Sequence, residues 1–398
     1  MSYTKIFFIQ VLSDFINKKQ TESLTNIDWN EVMTLAKKHQ VGGIIYYQCK
    51  NFIDDQVVKS NMLKMFGYSL FYVQKMKNNY EEVKSKLKCR DIQFVLVKGF
   101  EIAKLYPEPA LRTMGDIDLL VHGKDFQFVA DVFLELGFHY GKKTPHEITF
   151  KKNNIYYEIH EFMIDKPADA DELRKSFYND YWDYLVADSC YGEQRLDWSF
   201  HFMYLLQHMR QHILWEGIGF RQFMDMAIII RNISDLDWKF IVESAKKVEM
   251  YDFLQMVLAL VEKWFDVKAL IDVLPLSNEL YTYVTDKTFA GGVFGFCDEE
   301  NKISTFENEY RESNRSLISM KILNISRILF PSYSSMVKSE HYSFLKGHPC
   351  LLPCAWIYRC FYSWKHKNFE QVKKLKRIVK VNKRALDKRR SDIEMWKL

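Results

Sequence analysis

The sequence has no C-x-x-C pair and few of the residues that make tight turns. Its seven cysteines are scattered and lack a C-x-x-C pair, which argues against a zinc knuckle or a disulfide framework and favours a reducing cytoplasm. Glycine (15) and proline (8) are scarce among 398 residues, which disfavours a sandwich of short strands joined by tight turns. We therefore expect long helices and one small sheet.

The sequence also lacks an apolar run long enough to cross a membrane. Its most apolar stretch, Cys350 to Tyr358, contains Pro353 and ends at Arg359, well short of the ~20 residues that a span needs. The N terminus lacks the pattern of a secretory leader, in which a charged segment precedes an apolar core and a cleavage site. We therefore expect a soluble, cytoplasmic protein without a transmembrane segment.

The net charge of +5 arises in the C-terminal tail. From Lys365 to Leu398 there are thirteen Lys and Arg against four Asp and Glu, whereas acidic residues outnumber basic ones in the rest of the chain. Apolar residues from Phe369 to Leu386 recur at helical spacing, which predicts one basic amphipathic helix. A solvated helix face is the simplest interpretation, and binding of nucleic acid, anionic lipid or a protein is the alternative. Nucleic acid is not favoured, because aromatic residues are sparse in the tail.

Four segments follow from changes in the sequence pattern. Residues 1–90 predict a helical N-terminal segment, 91–165 alternate between strand and helix, 166–310 return to helices, and 311–398 end in the basic helix. The fold class that we expect is therefore α+β, with a small mixed sheet embedded in a mostly helical chain.

Residues 91–165 contain short strand-like runs. A β-branched apolar run ends at Lys98-Gly99, where a short helix begins, and later runs are separated by a plausible hairpin turn at Lys152 to Asn154. The predicted strands are Ile92 to Val97, Asp116 to Val121, His146 to Lys151, and Ile155 to Phe162.

Paired carboxylates on these strands predict a metal site. Asp116 and Asp118 are two residues apart on a strand, so both side chains point to one face. Adjacent carboxylates repel unless a cation lies between them, and hard divalent cations such as Mg²⁺ prefer oxygen ligands. A third carboxylate would complete the site. Glu158 is our choice for it, with Glu161 and Glu147 as alternatives.

The turn before the aspartates suits a phosphate group. At Lys98-Gly99 the glycine lets the backbone approach a phosphate, the following helix offers free N–H groups, and the lysine adds positive charge. Lys98 is otherwise an ordinary surface lysine. Arg112 is placed to contact a phosphate or, alternatively, to pair with Asp116 or Glu108.

These motifs together resemble the polymerase-beta-like nucleotidyltransferases, in particular a bacterial branch of largely uncharacterised members. A weaker similarity continues into the helical part at His208, Gly219, Arg221 and Asp225. The motifs that carry the resemblance are Leu96 to Gly99, Leu111 to Val121, and Glu158 to His160. The resemblance implies transfer of a nucleoside monophosphate from a nucleoside triphosphate to a hydroxyl or similar acceptor, with Mg²⁺ or Mn²⁺.

The resemblance also implies roles for individual residues. Asp116 and Asp118 would bind both metals, and Glu158 would hold the catalytic metal next to the acceptor oxygen. Residues 91–165 would form the catalytic core, and the helical domain at 166–310 would close the cleft. The residues implied in nucleotide binding are Lys98, Gly99, Arg112, Gly115, Arg221 and Asp225.

Two features leave alternatives open. The superfamily motif usually begins with Gly-Ser, whereas Lys98-Gly99 is followed by Phe100, so a serine contact to the terminal phosphates is missing. Arg221 and Asp225, four residues apart on a helix, most simply form an ion pair. The alternative function is a non-catalytic interaction protein that keeps the fold and binds nucleic acid or a partner through its basic C-terminal helix.

Overall fold

The computed structural model describes most of the chain. The chain divides into two compact units. The described residues are 1–144, 147–164, 172–186, 193–215, 217–292, 306, 310, 313, 315–337, 340–365 and 370–398. The first unit comprises Met1–Phe296 together with Met395–Leu398, and the second comprises Cys297–Glu394.

The first unit combines helices with one mixed sheet. Its helices, α1 to α12, are Tyr3–Ile16, Trp29–Lys38, Gly42–Cys49, Gln56–Cys89, Gly99–Ala103, Phe126–Glu135, Glu172–Asn179, Trp198–Trp215, Phe220–Asn232, Trp238–Lys247, Tyr251–Phe265 and Asn278–Gly291. Its strands, β1 to β7, are Phe94–Val97, Ile117–Val121, His139–Lys143, Glu147–Lys152, Ile155–His160, Leu185–Val186 and Glu193–Leu196.

The sheet has the strand order β3-β4-β5-β2-β1-β7-β6. At its centre, β2 lies between β1, with which it is antiparallel, and β5, with which it is parallel. The described part of the chain is therefore mostly helical with a single mixed sheet, and the expected α+β class is confirmed.

Alternation along β2 separates the two faces of the sheet. Ile117 and Leu119 belong to a core formed with α4 and α6, whereas Leu120 belongs to a larger core formed with the other helices of the unit. Because side chains alternate along a strand, Asp118 lies on the same face as Leu120. Asp118 therefore lies on the face of the sheet that the helices of the larger core partly cover. We call this face the site-bearing face.

The predicted strands are observed within one or two residues at each end, as far as they are described; His146 lies outside the described residues. The turn between β4 and β5 places Asn153 and Asn154 at φ of 49° and 62°, as a tight hairpin requires. Three strands were not predicted: β3 is exposed along its whole length, β6 has two residues, and β7 is short and largely polar. The sheet therefore extends beyond residue 165.

The second unit is built from short helices. Its described helices, α13 to α17, are Leu317–Leu329, Tyr333–Met336, Leu352–Lys365, Glu370–Lys380 and Lys383–Met395. The prediction of one helix in the basic tail is wrong, because α16 ends before Val381 and α17 begins after Asn382. The carbonyl of Asn382 accepts the first hydrogen bond of α17, from Leu386, and asparagine is favoured at this position. Phe369 lies outside the described residues.

The described helices include none with both the length and the apolarity needed to cross a bilayer.

Candidate active site

Lys98 forms the turn between β1 and α5 in an unusual backbone conformation. Its φ of 58° lies in the left-handed region that favours glycine. The backbone N–H of Lys98 donates a hydrogen bond to Nε2 of His201 at 3.1 Å. Burial, followed by the positive charge of Arg195, lowers the pKa of His201 to about 3, so this imidazole is neutral and can accept. His201 therefore helps to fix the turn.

The Lys98 side chain forms an ion pair with Asp118 on β2. Its Nζ lies 2.6 Å from Oδ1 of Asp118, and both side chains are largely buried. The same ammonium lies 6.0 Å from the centre of the Tyr204 ring. Lys98 is thus a buried partner of Asp118 rather than a surface lysine.

Asp118 and Glu158 are brought together by the register of β2 and β5. The two residues are direct neighbours in the parallel pair, and His160 follows on the same face. Nε2 of His160 lies 3.4 Å from Oδ1 of Asp118 and 3.4 Å from Oε2 of Glu158. Asp118, Glu158 and His160 each offer one potential ligand atom within 4.8 Å of the others. The face therefore carries a compact group of oxygen and nitrogen donors.

The pKa values of the two aspartates move in opposite directions. Burial alone would raise the pKa of Asp118, but the Lys98 ammonium, followed by His160, holds it below its ordinary value. Burial, followed by the negative charges of Asp118 and Glu158, raises the pKa of Asp116 to about 6. Asp116 is therefore the aspartate whose charge lacks compensation and which a bound cation would stabilise most.

His160 links the other two charges of the group. The nearby imidazole of His160, opposed by burial, lowers the pKa of Glu158. Burial alone would lower the pKa of His160, but the nearby carboxylates of Asp118 and Glu158 raise it. Ionised carboxylates and a positive imidazole thus stabilise one another.

Neither of the two alternative third carboxylates is a strand neighbour of Asp118. Glu147 forms an ion pair with Lys142 at 2.7 Å. The carboxylate of Glu161 lies against Gly123, where a β-carbon would overlap it. Of the three glutamates weighed from the sequence, Glu158 is the one that the strand register places beside Asp118.

Arg112 is anchored by Asp225, which lies on α9. Its Nη2 and Nε lie 2.6 and 3.2 Å from the two carboxylate oxygens, and the Tyr106 hydroxyl donates to the same carboxylate at 2.7 Å. A side chain at residue 99 would overlap the Arg112 guanidinium, so the glycine there makes room for the arginine. Neither of the partners weighed for Arg112 from the sequence, Asp116 or Glu108, is the one observed.

The simplest interpretation of Arg221 and Asp225, an ion pair within α9, is wrong in the structure because Asp225 turns to Arg112. Arg221 instead donates from Nη1 to Oε1 of Gln40 at 2.8 Å and to the backbone carbonyl of Thr113 at 2.9 Å. Burial, followed by the positive charge of Arg112, lowers the pKa of Arg221 to about 10. The buried guanidinium of Arg221 therefore contacts the backbone three residues before Asp116.

Most of the groups described above line one cleft of about 570 Å³. The residues singled out from the sequence that line it are Lys98, Gly99, Arg112, Gly115, Asp116, Asp118, Glu147, Glu158, His160, His208, Arg221 and Asp225. Tyr204 on α8 and Gln40 from the N-terminal segment also line it, although the sequence did not single them out. For His160 and His208 the resemblance implied no role, and the position of His160 two residues after Glu158 is the signal that could have assigned it one.

A mixed sheet that presents paired aspartates and a strand glutamate beside a glycine turn is the arrangement expected of a nucleotidyltransferase. A family model described as "Uncharacterised nucleotidyltransferase" matches residues 25–266, which include all the site residues above. The chain belongs to this family, and the resemblance to nucleotidyltransferases is confirmed. No curated protein and no solved structure matches the chain.

Proposed function

We propose that the protein transfers a nucleoside monophosphate from a nucleoside triphosphate to a hydroxyl-type acceptor in a metal-dependent reaction. The observation that supports the proposal most is the pairing of Asp118 with Glu158 on adjacent strands, with Asp116 in the same cleft and the Lys98 ammonium on Asp118. Family membership supports nucleotidyl transfer in general. The metal, the donor and the acceptor are our inference.

The donor atoms of this face fit a divalent cation. Asp116, Asp118 and Glu158 offer carboxylate oxygens, which Mg²⁺ prefers and Mn²⁺ also accepts. The raised pKa of Asp116 indicates uncompensated negative charge on this face. A bound Mg²⁺ would supply electrostatic stabilisation of the charge that develops on the attacking and leaving oxygens. The three carboxylates would hold and orient it.

The cationic residues of the cleft suit the triphosphate. Lys98 places its ammonium at the end of β1, next to the carboxylates, where it can also neutralise a phosphate. Arg112, held by Asp225, and Arg221, held by Gln40, are pre-oriented because their hydrogen-bond partners restrict their rotamers. Gly99 and Gly115 line the same cleft, and the open space beside Gly115 leaves room for the ligand, whereas Gly99 makes room for Arg112.

Binding of a non-hydrolysable triphosphate, measured by calorimetry with and without Mg²⁺ or Mn²⁺, tests the proposal. We expect metal-dependent binding that Asp116→Asn and Glu158→Gln weaken at least about ten-fold, since each removes a charged ligand. Glu147→Gln is the matched control, because that carboxylate lines the cleft but pairs with Lys142. Nucleotide binding that ignores both metal and Asp116→Asn would contradict the proposal and favour a non-catalytic role.

A further inference from the structure

A row of exposed and half-buried tyrosines and lysines lies next to the carboxylates, outside the cleft. On α4, Tyr68 and Tyr72 stack with ring centres 5.6 Å apart and an angle of 9° between their planes. Tyr68 is 64% exposed, and the neighbouring Phe71 is 66% exposed. Lys75 lies on the same side of the helix, one turn further on. This side of α4 therefore carries three aromatic side chains followed by a lysine.

Two hydrogen bonds join α4 to the turn at which β5 begins. The Tyr72 hydroxyl donates to the carbonyl of Asn154 at 2.7 Å, and the Lys75 ammonium donates to the carbonyl of Asn153 at 2.8 Å. Tyr156 follows on the site-bearing face, two residues before Glu158, with Lys151 5.0 Å above its ring. We call the group Tyr68, Tyr72, Lys75, Lys151 and Tyr156 the aromatic shelf.

The aromatic shelf adjoins the metal-binding carboxylates. Ile117 pairs with Tyr157 in the parallel register, so the preceding residues, Asp116 and Tyr156, are also neighbours. Burial, followed by the charges of Tyr68, Tyr156 and Asp116, raises the pKa of Tyr72, which places all three within electrostatic reach of its hydroxyl. The shelf therefore begins where Asp116 lies.

The order of the strands assigns the shelf to the acceptor side, an argument that rests on the proposed function. The Lys98 turn, suited to the phosphates, follows β1 on one side of β2, and the shelf extends β5 on the other side. Attacking and leaving oxygens lie roughly in line in phosphoryl transfer. A pyrophosphate leaving towards Lys98 therefore requires an acceptor that arrives from the side of Tyr156.

We propose that the aromatic shelf binds the single-stranded 3′ end of a nucleic acid and delivers its terminal hydroxyl to the site as the acceptor. Exposed aromatic faces stack bases with little sequence preference, and lysines between them neutralise the phosphates. Small-molecule ligands are instead enclosed in concave pockets, whereas these rings lie on an open surface. The hydroxyl oxygen forms a bond to the α-phosphorus, the bond to pyrophosphate breaks, and the hydroxyl proton leaves to solvent.

The first experiment measures binding alone. The full chain is titrated, without nucleotide or metal, into 5′-fluorescein-labelled single strands of about 12 nucleotides, RNA and DNA in separate arms, and anisotropy is recorded. We expect Tyr156→Ser to weaken binding about five-fold or more, since one stacking platform is lost. Lys151→Gln should reduce the slope of log K against log salt by about 0.7.

Tyr140 provides a matched control. It is 40% exposed, as is Tyr156, and it carries Lys143 at 5.3 Å above its ring, but it packs against Phe150 on the opposite face of the sheet. We expect Tyr140→Ser to bind like the wild type. Equal binding by the Tyr156→Ser and Tyr140→Ser variants would overturn the proposal. So would binding that is lost only when the exposed tail lysines Lys374, Lys376 and Lys380 are changed to glutamine.

The second experiment measures transfer of an α-labelled nucleoside triphosphate, with Mg²⁺, onto strands that end in a 3′ hydroxyl or in a dideoxy nucleotide. Label on the hydroxyl end alone, reduced by Tyr156→Ser and not by Tyr140→Ser, supports the proposal. Label on a protein or on a small hydroxyl compound, undiminished in Tyr156→Ser, overturns it. The proposed function fails separately, when neither metal supports binding of the triphosphate.

Discussion

At the scale of single residues, Lys98 and Asp116 determine the charge of the site. Lys98 occupies a backbone conformation that favours glycine, and its ammonium compensates the buried Asp118. Asp116 has no comparable ion pair among the described residues, and its pKa of about 6 reflects this difference. Burying a charge without a partner is costly, so the two aspartates contribute differently to stability.

Replacing Asp116 tests whether its charge stabilises or destabilises the folded protein. Its folded pKa, raised from 3.8 to about 6, means that the folded state binds the proton more tightly, so wild-type stability increases as pH falls through 6 towards 4. We expect Asp116→Asn to raise the free energy of unfolding by about 2 kcal/mol at pH 8 without divalent metal. The gain should vanish near pH 4. Urea unfolding across this pH range measures it, and Asp54→Asn, at an exposed position, is the control, which should change the free energy of unfolding by less than about 0.5 kcal/mol.

Replacing Lys98 should have the opposite effect. Lys98→Met keeps an unbranched side chain at the same φ but leaves Asp118 without its ammonium partner, so we expect a loss of about 3 kcal/mol at neutral pH. Mg²⁺ at millimolar concentration should restore part of this loss by taking the place of the positive charge. Thermal unfolding with EDTA or Mg²⁺ measures both effects. Lys124→Met, at an exposed position, is the control, and equal unfolding of the two variants would contradict the account.

At the scale of secondary-structure elements, the turn between β1 and α5 is coupled to α9 through Arg112. Gly99 makes room for the guanidinium, and Asp225 on α9 accepts two hydrogen bonds from it. The nucleotide-side turn and the helical part of the unit are therefore held together by one buried ion pair. A change in either element should disturb the other.

Two glycine substitutions separate this packing role from backbone effects. Gly99→Ala should force the Arg112 guanidinium away from Asp225 and cost about 3 kcal/mol, because a buried ion pair is broken. Gly67→Ala, within α4 where no atom lies within 4 Å of the added methyl group, should stabilise the protein by about 0.5–1 kcal/mol. Chemical denaturation measures both variants. A Gly99→Ala protein as stable as the wild type would refute the coupling.

At the scale of the whole molecule, the predicted N-terminal, catalytic and helical segments share one core. Phe8 from α1, Val95 from β1 and Phe223 from α9 belong to the same buried cluster. Trp396, near the C terminus, is 4% exposed and packs in this cluster too, although it belongs to the basic tail in sequence. The last four residues are therefore part of the first unit.

Trp396 should accordingly stabilise the first unit. We expect Trp396→Ala to lower the free energy of unfolding by about 3–5 kcal/mol through loss of a buried aromatic side chain. Val379→Ala, at a position in the tail that is 61% exposed, should change it by less than about 0.5 kcal/mol. Differential scanning calorimetry measures both variants. Similar melting of the two would show that the end of the chain does not contribute to the core.

The sequence by itself determined the fold class, the central strands and the paired aspartates, because these depend on local periodicity and on a two-residue spacing along one strand. It also singled out Glu158 from three candidate glutamates. Only the parallel register of β2 and β5 decided that Glu158, and not Glu147 or Glu161, lies beside Asp118. The partners of Lys98, Arg112 and Arg221 were decided by tertiary structure alone. Each contact joins residues 20 or more positions apart, and no local pattern encodes such a distance.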